Sequence, residues 1–191
     1  MSVEGPLERV LAAARAAPPR AGATTVIAID GRSGAGKSTL AQALALSLDA
    51  PIVALEDLYG GWDGLEHGTA LLLDEVLRPL AERNEAKVPH YDWLTAAWSE
   101  PWALAPPAQL IVEGAGAGAR SLAPYTSVLV WLELPAVLRR ERALARRYGE
   151  IYAPHWERWA LQEERFFERE RPELRADLIL AAQPSDAAKG P

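Results

Sequence analysis

A nine-residue stretch, GRSGAGKST at positions 31–39, carries the clearest chemical signal in this sequence. Gly31, then four residues, then Gly36, Lys37 and Ser38 match the phosphate-binding pattern G-x-x-x-x-G-K-[ST] at every position. Glycines let successive backbone amides turn toward an anion, the lysine can reach the phosphates, and the serine hydroxyl can bind Mg²⁺. The sequence therefore predicts a Mg²⁺-nucleotide site. Its expected residues are Gly31, Ser33, Gly34, Ala35, Gly36, Lys37, Ser38 and Thr39.

A carboxylate that could complete the metal site ends another apolar run, QLIVEG. Glu113 is the acidic residue of this run, and Gly114 follows it without a side chain that would keep a γ-phosphate away. We expect Ser38 and Glu113 to organise Mg²⁺. The alternative interpretation of Glu113 is a solvated residue at the end of a strand.

Two further carboxylates, Glu56 and Asp57, follow the apolar run PIVAL. Ligands of open α/β folds bind at the carboxyl ends of the strands, so these residues are expected beside the phosphate-binding stretch. A carboxylate there could accept the proton of a hydroxyl that attacks the nucleotide. The sequence does not decide which of the two is the base, and a polar turn is the alternative for both.

Arginines at helical spacing occur in the segment RRERALARRYGE. Arg139, Arg142 and Arg146 would share one stripe of a helix and could neutralise a transferring phosphoryl group. A solvated helix face explains the same pattern. The three histidines have no metal-ligand spacing and are expected to be surface residues; they are His67, His90 and His155.

The elements that would position these residues alternate along the chain. Unbroken apolar runs predict buried strands at 24–29, 51–55, 108–114, 127–134 and 175–182. Helical periods occur at 5–16, 37–48, 70–84, 135–147 and 154–169. This alternation predicts an α/β fold of three layers, doubly wound around a mainly parallel five-stranded sheet. The segment 57–100 is less regular, and it holds three of the seven tryptophans.

Composition limits the classes of function. The chain has 191 residues, and its net charge of -6 argues against nucleic acid as a partner. The absence of cysteine excludes disulfides, thiolate metal sites and cysteine nucleophiles. No apolar run approaches the roughly 20 residues of a membrane span. We therefore expect a cytoplasmic protein with a small-molecule partner, without nucleic acid or membrane partners, that could form a homo-oligomer.

Several classes of protein use a phosphate-binding stretch of this kind, and the motifs that this sequence lacks exclude some of them. The usual guanine-reading motif N-K-x-D is missing, because the only asparagine is Asn84 and Glu85 follows it. Oligomeric ATPases generally carry a further helical domain and exceed this length. A small-molecule kinase needs an acceptor pocket, a base and mobile arginines, and each of these has a candidate here. The prediction is an ATP-dependent kinase acting on the hydroxyl of a small acceptor.

The motifs also resemble a known family. GRSGAGKS, EDLY, VPHYDWLT, IVEG and RADLIL stand in the order found in the uridine kinase and phosphoribulokinase group of P-loop kinases. The resemblance implies the P-loop fold, with Tyr91 and Trp93 flanking the ring of a nucleoside-like or sugar-like acceptor. It also implies that Asp63 binds hydroxyls. The implied acceptor site is Tyr59, Trp62, Asp63, Tyr91 and Trp93.

The resemblance further implies how the chain is divided. Residues 1–191 would form a single kinase domain with an N-terminal helix and linker at 1–22. An acceptor-binding insertion would span 57–100, and a lid would span 139–155 with Arg142 and Arg146 as its arginines. Adenine would lie near 183–186.

Three departures from the family pattern remain. Glu56 stands where the family has its catalytic aspartate, Ala96 stands where it usually has a histidine, and the stretch from Tyr59 to Trp62 is shorter. An ATP-binding regulator or slow ATPase is therefore the alternative function. Trp98 and Trp102 fit either a core or an acceptor site.

Overall fold

The computed structural model describes residues 5–145 and 149–181. A five-stranded sheet forms its centre, and its neighbouring strands are all parallel, in the order β2-β5-β1-β6-β7. The strands are β1 (Thr25–Asp30), β2 (Ile52–Ala54), β5 (Gln109–Glu113), β6 (Val128–Glu133) and β7 (Leu178–Ala181). The predicted doubly wound α/β fold is confirmed.

Helices cover both faces of this sheet. Along β1, Ile27 and Ile29 point into one core, whereas Val26 and Ala28 point into the other, as the two-residue period of a strand requires. Helices α1 (Pro6–Ala16) and α2 (Lys37–Leu48) pack on the Ile27 side. β1 is buried at every position, and its four residues between Thr25 and Asp30 are all apolar.

The other face is covered by two helical segments. One comprises α3 (Leu65–Leu71), a π-helical turn (Leu72–Leu77) and α4 (Arg78–Ala81). The other is α7 (Trp156–Glu170), which contributes Phe166 and Phe167 to the core. Helices α5 (Ala136–Leu144) and α6 (Gly149–Tyr152) precede α7 along the chain.

A two-stranded antiparallel hairpin was not predicted from the sequence. Strands β3 (Ala86–Asp92) and β4 (Ala97–Leu104) pair with each other, and most of this hairpin falls in the segment 57–100 that was interpreted as less regular. Seven of the eight residues of β4 are exposed, so no apolar alternation marks it as a strand. Trp98 and Trp102 belong to this exposed strand and do not complete the core.

No helix among residues 5–145 and 149–181 is both long and apolar enough to cross a membrane. The domain limits given above, including the insertion at 57–100, stay predictions.

The central strand should dominate stability. Ile27 is fully buried in β1, whereas Ile179 on edge strand β7 is 55% exposed. Ile27→Ala should lower the free energy of unfolding by about 2–5 kcal/mol, because it leaves a cavity between packed layers. The matched variant Ile179→Ala should cost less than about 1 kcal/mol. Urea titrations of both variants measure the difference, and equal costs would contradict this placement of the core.

Candidate active site

The phosphate-binding stretch forms a tight loop between β1 and α2. Gly31, Gly34 and Gly36 have φ angles of 146°, 82° and 101°, a region that favours glycine. Gly34 is required for a second reason, because a β-carbon there would collide with the backbone carbonyl of Arg139 in α5. The strand before the loop and the helix after it are both present, as the motif requires.

The Lys37 side chain lies against this loop. Its ammonium donates to the carbonyl oxygens of Gly31 at 2.8 Å and Arg32 at 3.2 Å. The first backbone hydrogen bond of α2 runs from Leu40 N–H to the Gly36 carbonyl, so the amides of residues 37–39 precede it. Such first-turn amides and the positive end of the helix dipole favour an anion.

One cavity of about 510 Å³ opens beside the loop. Most of the predicted side chains meet there. Those lining it are Ser33, Lys37, Ser38, Glu56, Asp57, Tyr59, Trp62, Tyr91, Trp93 and Glu113. The structure thus brings the phosphate loop, the acidic pair and the aromatic residues to one space.

Several predicted residues lie elsewhere. Asp63 does not line the cavity, and its carboxylate pairs with the guanidinium of Arg158 on α7. Arg142 does not line it either, but its Nη1 would lie 4.0 Å from a β-carbon placed on Gly36. Gly31, Gly34, Ala35, Gly36 and Thr39 belong to the loop and to the start of α2 without lining the cavity. Arg146 and residues 183–186 lie outside the described residues.

The two candidate bases differ in environment. Both lie in a short 3-10 turn, Leu55–Leu58, directly after β2. Glu56 is exposed, whereas Asp57 is partly buried, with its Oδ1 3.6 Å from His90 Nδ1. Burial raises the pKa of Asp57, and the nearby His90 partly offsets that rise. A raised pKa lies closer to the value of an effective general base, which is near the operating pH.

The metal candidates, Ser38 and Glu113, both face the cavity. Glu113 ends β5, pairs in register with Ile29 of β1, and is 7% exposed. Within the described chain, no group of three or more His, Asp or Glu side chains is arranged to hold a metal. Magnesium commonly takes one or two protein ligands together with waters and phosphate oxygens, so a hydroxyl and a carboxylate fit it.

Aromatic side chains border the cavity. We define the aromatic wall as Trp62, Tyr91, Trp93 and Tyr152, which line the cavity, together with His155, which stacks on Trp62. The Trp62 ring stacks on His155 at 4.3 Å and on Tyr152 at 5.5 Å, and it tilts against Trp93 at 4.6 Å. Tyr91 meets Trp93 edge to face at 5.3 Å. These contacts fix several rings in mutual orientation.

Tyr59 also lines the cavity and is buried. Its hydroxyl donates to the Ala115 carbonyl at 2.9 Å, and its ring lies 4.7 Å from that of Trp159. Burial is the main reason why the pKa of Tyr59 is raised well above its usual value, and the carboxylates around it raise it further. The hydroxyl is therefore a hydrogen-bond donor at neutral pH.

Sequence analysis missed Asp30, which is fully buried at the end of β1. Its carboxylate accepts from the backbone amides of Gly31 at 2.7 Å, Gly116 at 3.0 Å and Gly118 at 2.8 Å. It thereby joins the phosphate loop to the loop that follows Glu113. The available signal was an acidic residue placed at the end of an apolar strand and directly before the motif.

Sequence analysis also missed Glu163, which is 1% exposed on α7. Its Oε1 accepts from Ser33 N–H at 2.8 Å, from the Ser33 hydroxyl at 2.7 Å and from Trp159 Nε1 at 3.1 Å. Glutamate in an Arg- and Glu-rich helix predicts a solvated face, so the sequence held no signal for this contact.

No protein-family model matches the chain, and no curated protein matches it. A solved structure described as a possible uridine kinase from Bacillus stearothermophilus is similar at a TM-score of 0.61 and 21% identity, over 82% of this chain and 88% of that one. A proposed fructose transport system kinase from Silicibacter sp. TM1040 is similar at 0.53 and 21%, over 91% and 96%. The fold is that of the P-loop kinases. At this identity, the P-loop kinase fold is all that the likeness shows.

Asp30 gives this P-loop kinase fold a testable pH dependence. Burial raises the Asp30 pKa from 3.8 to about 6, against the lowering effect of the amides and Lys37. The folded state therefore binds this proton more tightly than the unfolded chain, and the contribution of Asp30 to the free energy of unfolding falls as pH rises from about 4 to about 6. The full change is about 3 kcal/mol.

Asp30→Asn removes this titration. We expect the free energy of unfolding of the wild type minus that of the variant to fall as pH rises from about 4 to about 7. Urea titrations at a series of pH values measure it. A difference that stays constant over this range would contradict the assignment.

Proposed function

We propose that the protein is an ATP- and Mg²⁺-dependent kinase that transfers the γ-phosphoryl group to a hydroxyl of a nucleoside-like or sugar-like acceptor. One observation carries the proposal: a single cavity is lined by Lys37 and Ser38, by Asp57, and by Trp62, Tyr91, Trp93 and Tyr152 of the aromatic wall. A phosphoryl donor and a hydroxyl acceptor could therefore meet within it.

The loop would bind the triphosphate through its amides and through the helix dipole of α2. Lys37 already lies against the loop, with its ammonium 2.8 Å from the Gly31 carbonyl, and can turn its charge toward the β- and γ-phosphates. Ser38 and Glu113 would hold Mg²⁺, directly or through water. When bound, the ion would neutralise negative charge that develops on the β- and γ-phosphates.

Asp57 is our choice for the base. As the acceptor oxygen forms its bond to the γ-phosphorus, the bond from that phosphorus to the β,γ-bridging oxygen breaks, and ADP leaves with that oxygen. The hydroxyl proton moves to the Asp57 carboxylate. Partial burial and the raised pKa of Asp57 support this choice over the exposed Glu56.

Helix α5 would act as part of a lid over the phosphates. It already contacts the loop, because Arg139 Nη1 donates to the Ser33 carbonyl at 3.3 Å. Arg142 lies one turn further along α5, near Gly36. Arg142 and Arg146 would neutralise the transferring phosphoryl group in a site with little water, which is worth several kcal/mol of barrier.

The aromatic wall favours an acceptor with a planar or ring-shaped body. Trp62, Tyr91 and Trp93 offer apolar faces, and Asp57 and His90 border the same cavity. The role of Asp63 in binding hydroxyls stays a prediction, which would require its carboxylate to exchange Arg158 for the acceptor.

An ATP-binding regulator or slow ATPase is the second candidate. Glu56 at the position of the family aspartate and Ala96 at that of a family histidine favour it. Release of ADP, measured with and without a panel of nucleosides, sugars and small hydroxy acids, separates the two. The turnover of a kinase must rise with its acceptor, whereas that of a slow ATPase does not.

Lys37→Ala should abolish ATP-dependent phosphorylation, because the ammonium that would neutralise the β- and γ-phosphates is lost. Circular dichroism and thermal unfolding should show an intact fold. Lys87→Ala is the matched control, since Lys87 is exposed on β3 and should retain full activity. Phosphorylation retained by Lys37→Ala would refute the assignment.

Asp57→Asn and Glu56→Gln should separate the base from its neighbour. The first should lower kcat about 10²- to 10⁴-fold with little change in ATP affinity, because it removes a proton acceptor. The second should change kcat only a fewfold. Steady-state kinetics with the acceptor found in the panel provide the measurement. The reverse pattern would assign the base to Glu56, and no loss in either variant would place it elsewhere.

A further inference from the structure

Helix α7 contacts two segments that the proposed function assigns to different substrates. Arg158, Trp159, Gln162 and Glu163 follow the spacing i, i+1, i+4, i+5 and therefore lie on one face of the helix. Residues 59–65, here called the acceptor segment, meet this face, and so does the phosphate loop.

The contacts to the acceptor segment involve both side chains and backbone. Arg158 pairs with Asp63. The Gln162 Oε1 accepts from Leu65 N–H at 3.1 Å, and its Nε2 donates to the Trp62 carbonyl at 2.9 Å. Gln162 thus holds the backbone on both sides of Asp63 and fixes the segment that carries Trp62.

The contacts to the phosphate loop converge on Ser33. Glu163 Oε1 accepts from its amide and its hydroxyl, and Trp159 Nε1 donates to both the Ser33 hydroxyl, at 3.1 Å, and Glu163. Gln162 and Glu163 are consecutive residues of α7, so a shift of the helix at one of them also moves the other.

A buried carboxylate beside an anion-binding loop needs an explanation. Its negative charge opposes that of a phosphate, and burial of a charge is costly unless hydrogen bonds compensate for it. Here three donors converge on one oxygen, and two of them belong to Ser33. The arrangement therefore serves to hold the loop in place rather than to bind the anion.

We propose that Glu163 is a positioning residue, which fixes Ser33 and links the phosphate loop through α7 to the acceptor segment. The proposal rests on the proposed function, in that the loop binds the nucleotide. It adds that the position of the acceptor segment affects nucleotide affinity.

The first test compares Glu163→Ala with Glu163→Gln, and Glu164→Gln serves as the exposed control next to them. Affinity for Mg²⁺ with a non-hydrolysable ATP analogue is measured by calorimetry. Glu163→Ala should bind about tenfold or more weakly, because hydrogen bonds to a charged acceptor are lost. Glu163→Gln keeps an acceptor oxygen and should stay within about threefold of the wild type. The control should not change.

Hydrogen exchange without nucleotide gives a second readout, in a peptide that covers residues 31–37. Its amides should exchange faster in Glu163→Ala than in the wild type, and Glu163→Gln should restore protection. If the wild type binds no nucleotide, the proposed function fails, and the exchange comparison alone decides whether Glu163 anchors the loop. Unchanged exchange in Glu163→Ala would then overturn the anchor.

Two affinity results would also overturn it. Glu163→Ala binding as tightly as the wild type would show that Ser33 needs no anchor. Tighter binding by both Glu163 variants would show that the carboxylate acts only by repelling phosphate.

The second test addresses the link to the acceptor segment. The Gln162 side chain makes its hydrogen bonds to Leu65 and Trp62 and none to the loop. Gln162→Ala should nevertheless weaken analogue binding about threefold or more. The same change made in Glu163→Ala should have no further effect, because the link is already broken. Gln42→Ala, at an exposed glutamine of α2, is the control. Additive effects, or no effect of Gln162→Ala, would overturn the link.

Discussion

The buried Asp30 carboxylate is the interaction on which the rest of the candidate site depends. A loop whose amides face an anion leaves its backbone short of internal partners, so something else must fix its shape. Asp30 does so by accepting hydrogen bonds from the backbone amide of Gly31 and from those of Gly116 and Gly118. The same carboxylate therefore fixes the position of the loop after β1 relative to the loop after Glu113.

Two more restraints act on the loop from its sides. The α5 backbone closes against Gly34, and Glu163 of α7 holds Ser33. Three restraints therefore act on one short loop. Under the proposed function, they would orient its amide dipoles before the anion binds, which is how electrostatic stabilisation avoids a reorganisation cost. The sheet carries the loop, and polar contacts between residues distant in sequence fix where the loop lies.

Sequence patterns predicted the frame well, because buried parallel strands and the loop motif are local signals. The strand order and the polar contacts were out of reach. Asp30 and Gly118 are 88 residues apart, and Ser33 and Glu163 are 130 apart, so no period or spacing connects them. Strand β4 escaped because its exposed side chains show no alternation. Among the candidate site residues, the patterns indicated Lys37, Ser38 and the pair Glu56 and Asp57, without deciding between the last two. They gave no sign that Asp63 would pair with Arg158.

The aromatic wall is assembled from pieces of chain that are distant in sequence: Trp62 precedes α3, Tyr91 and Trp93 belong to the hairpin region, and Tyr152 with His155 stands before α7. None of these pieces is covalently adjacent to residues 31–39. Under the proposed function, a substitution in one of these pieces would change which acceptor binds, while residues 31–39, which would bind the nucleotide, stay unchanged.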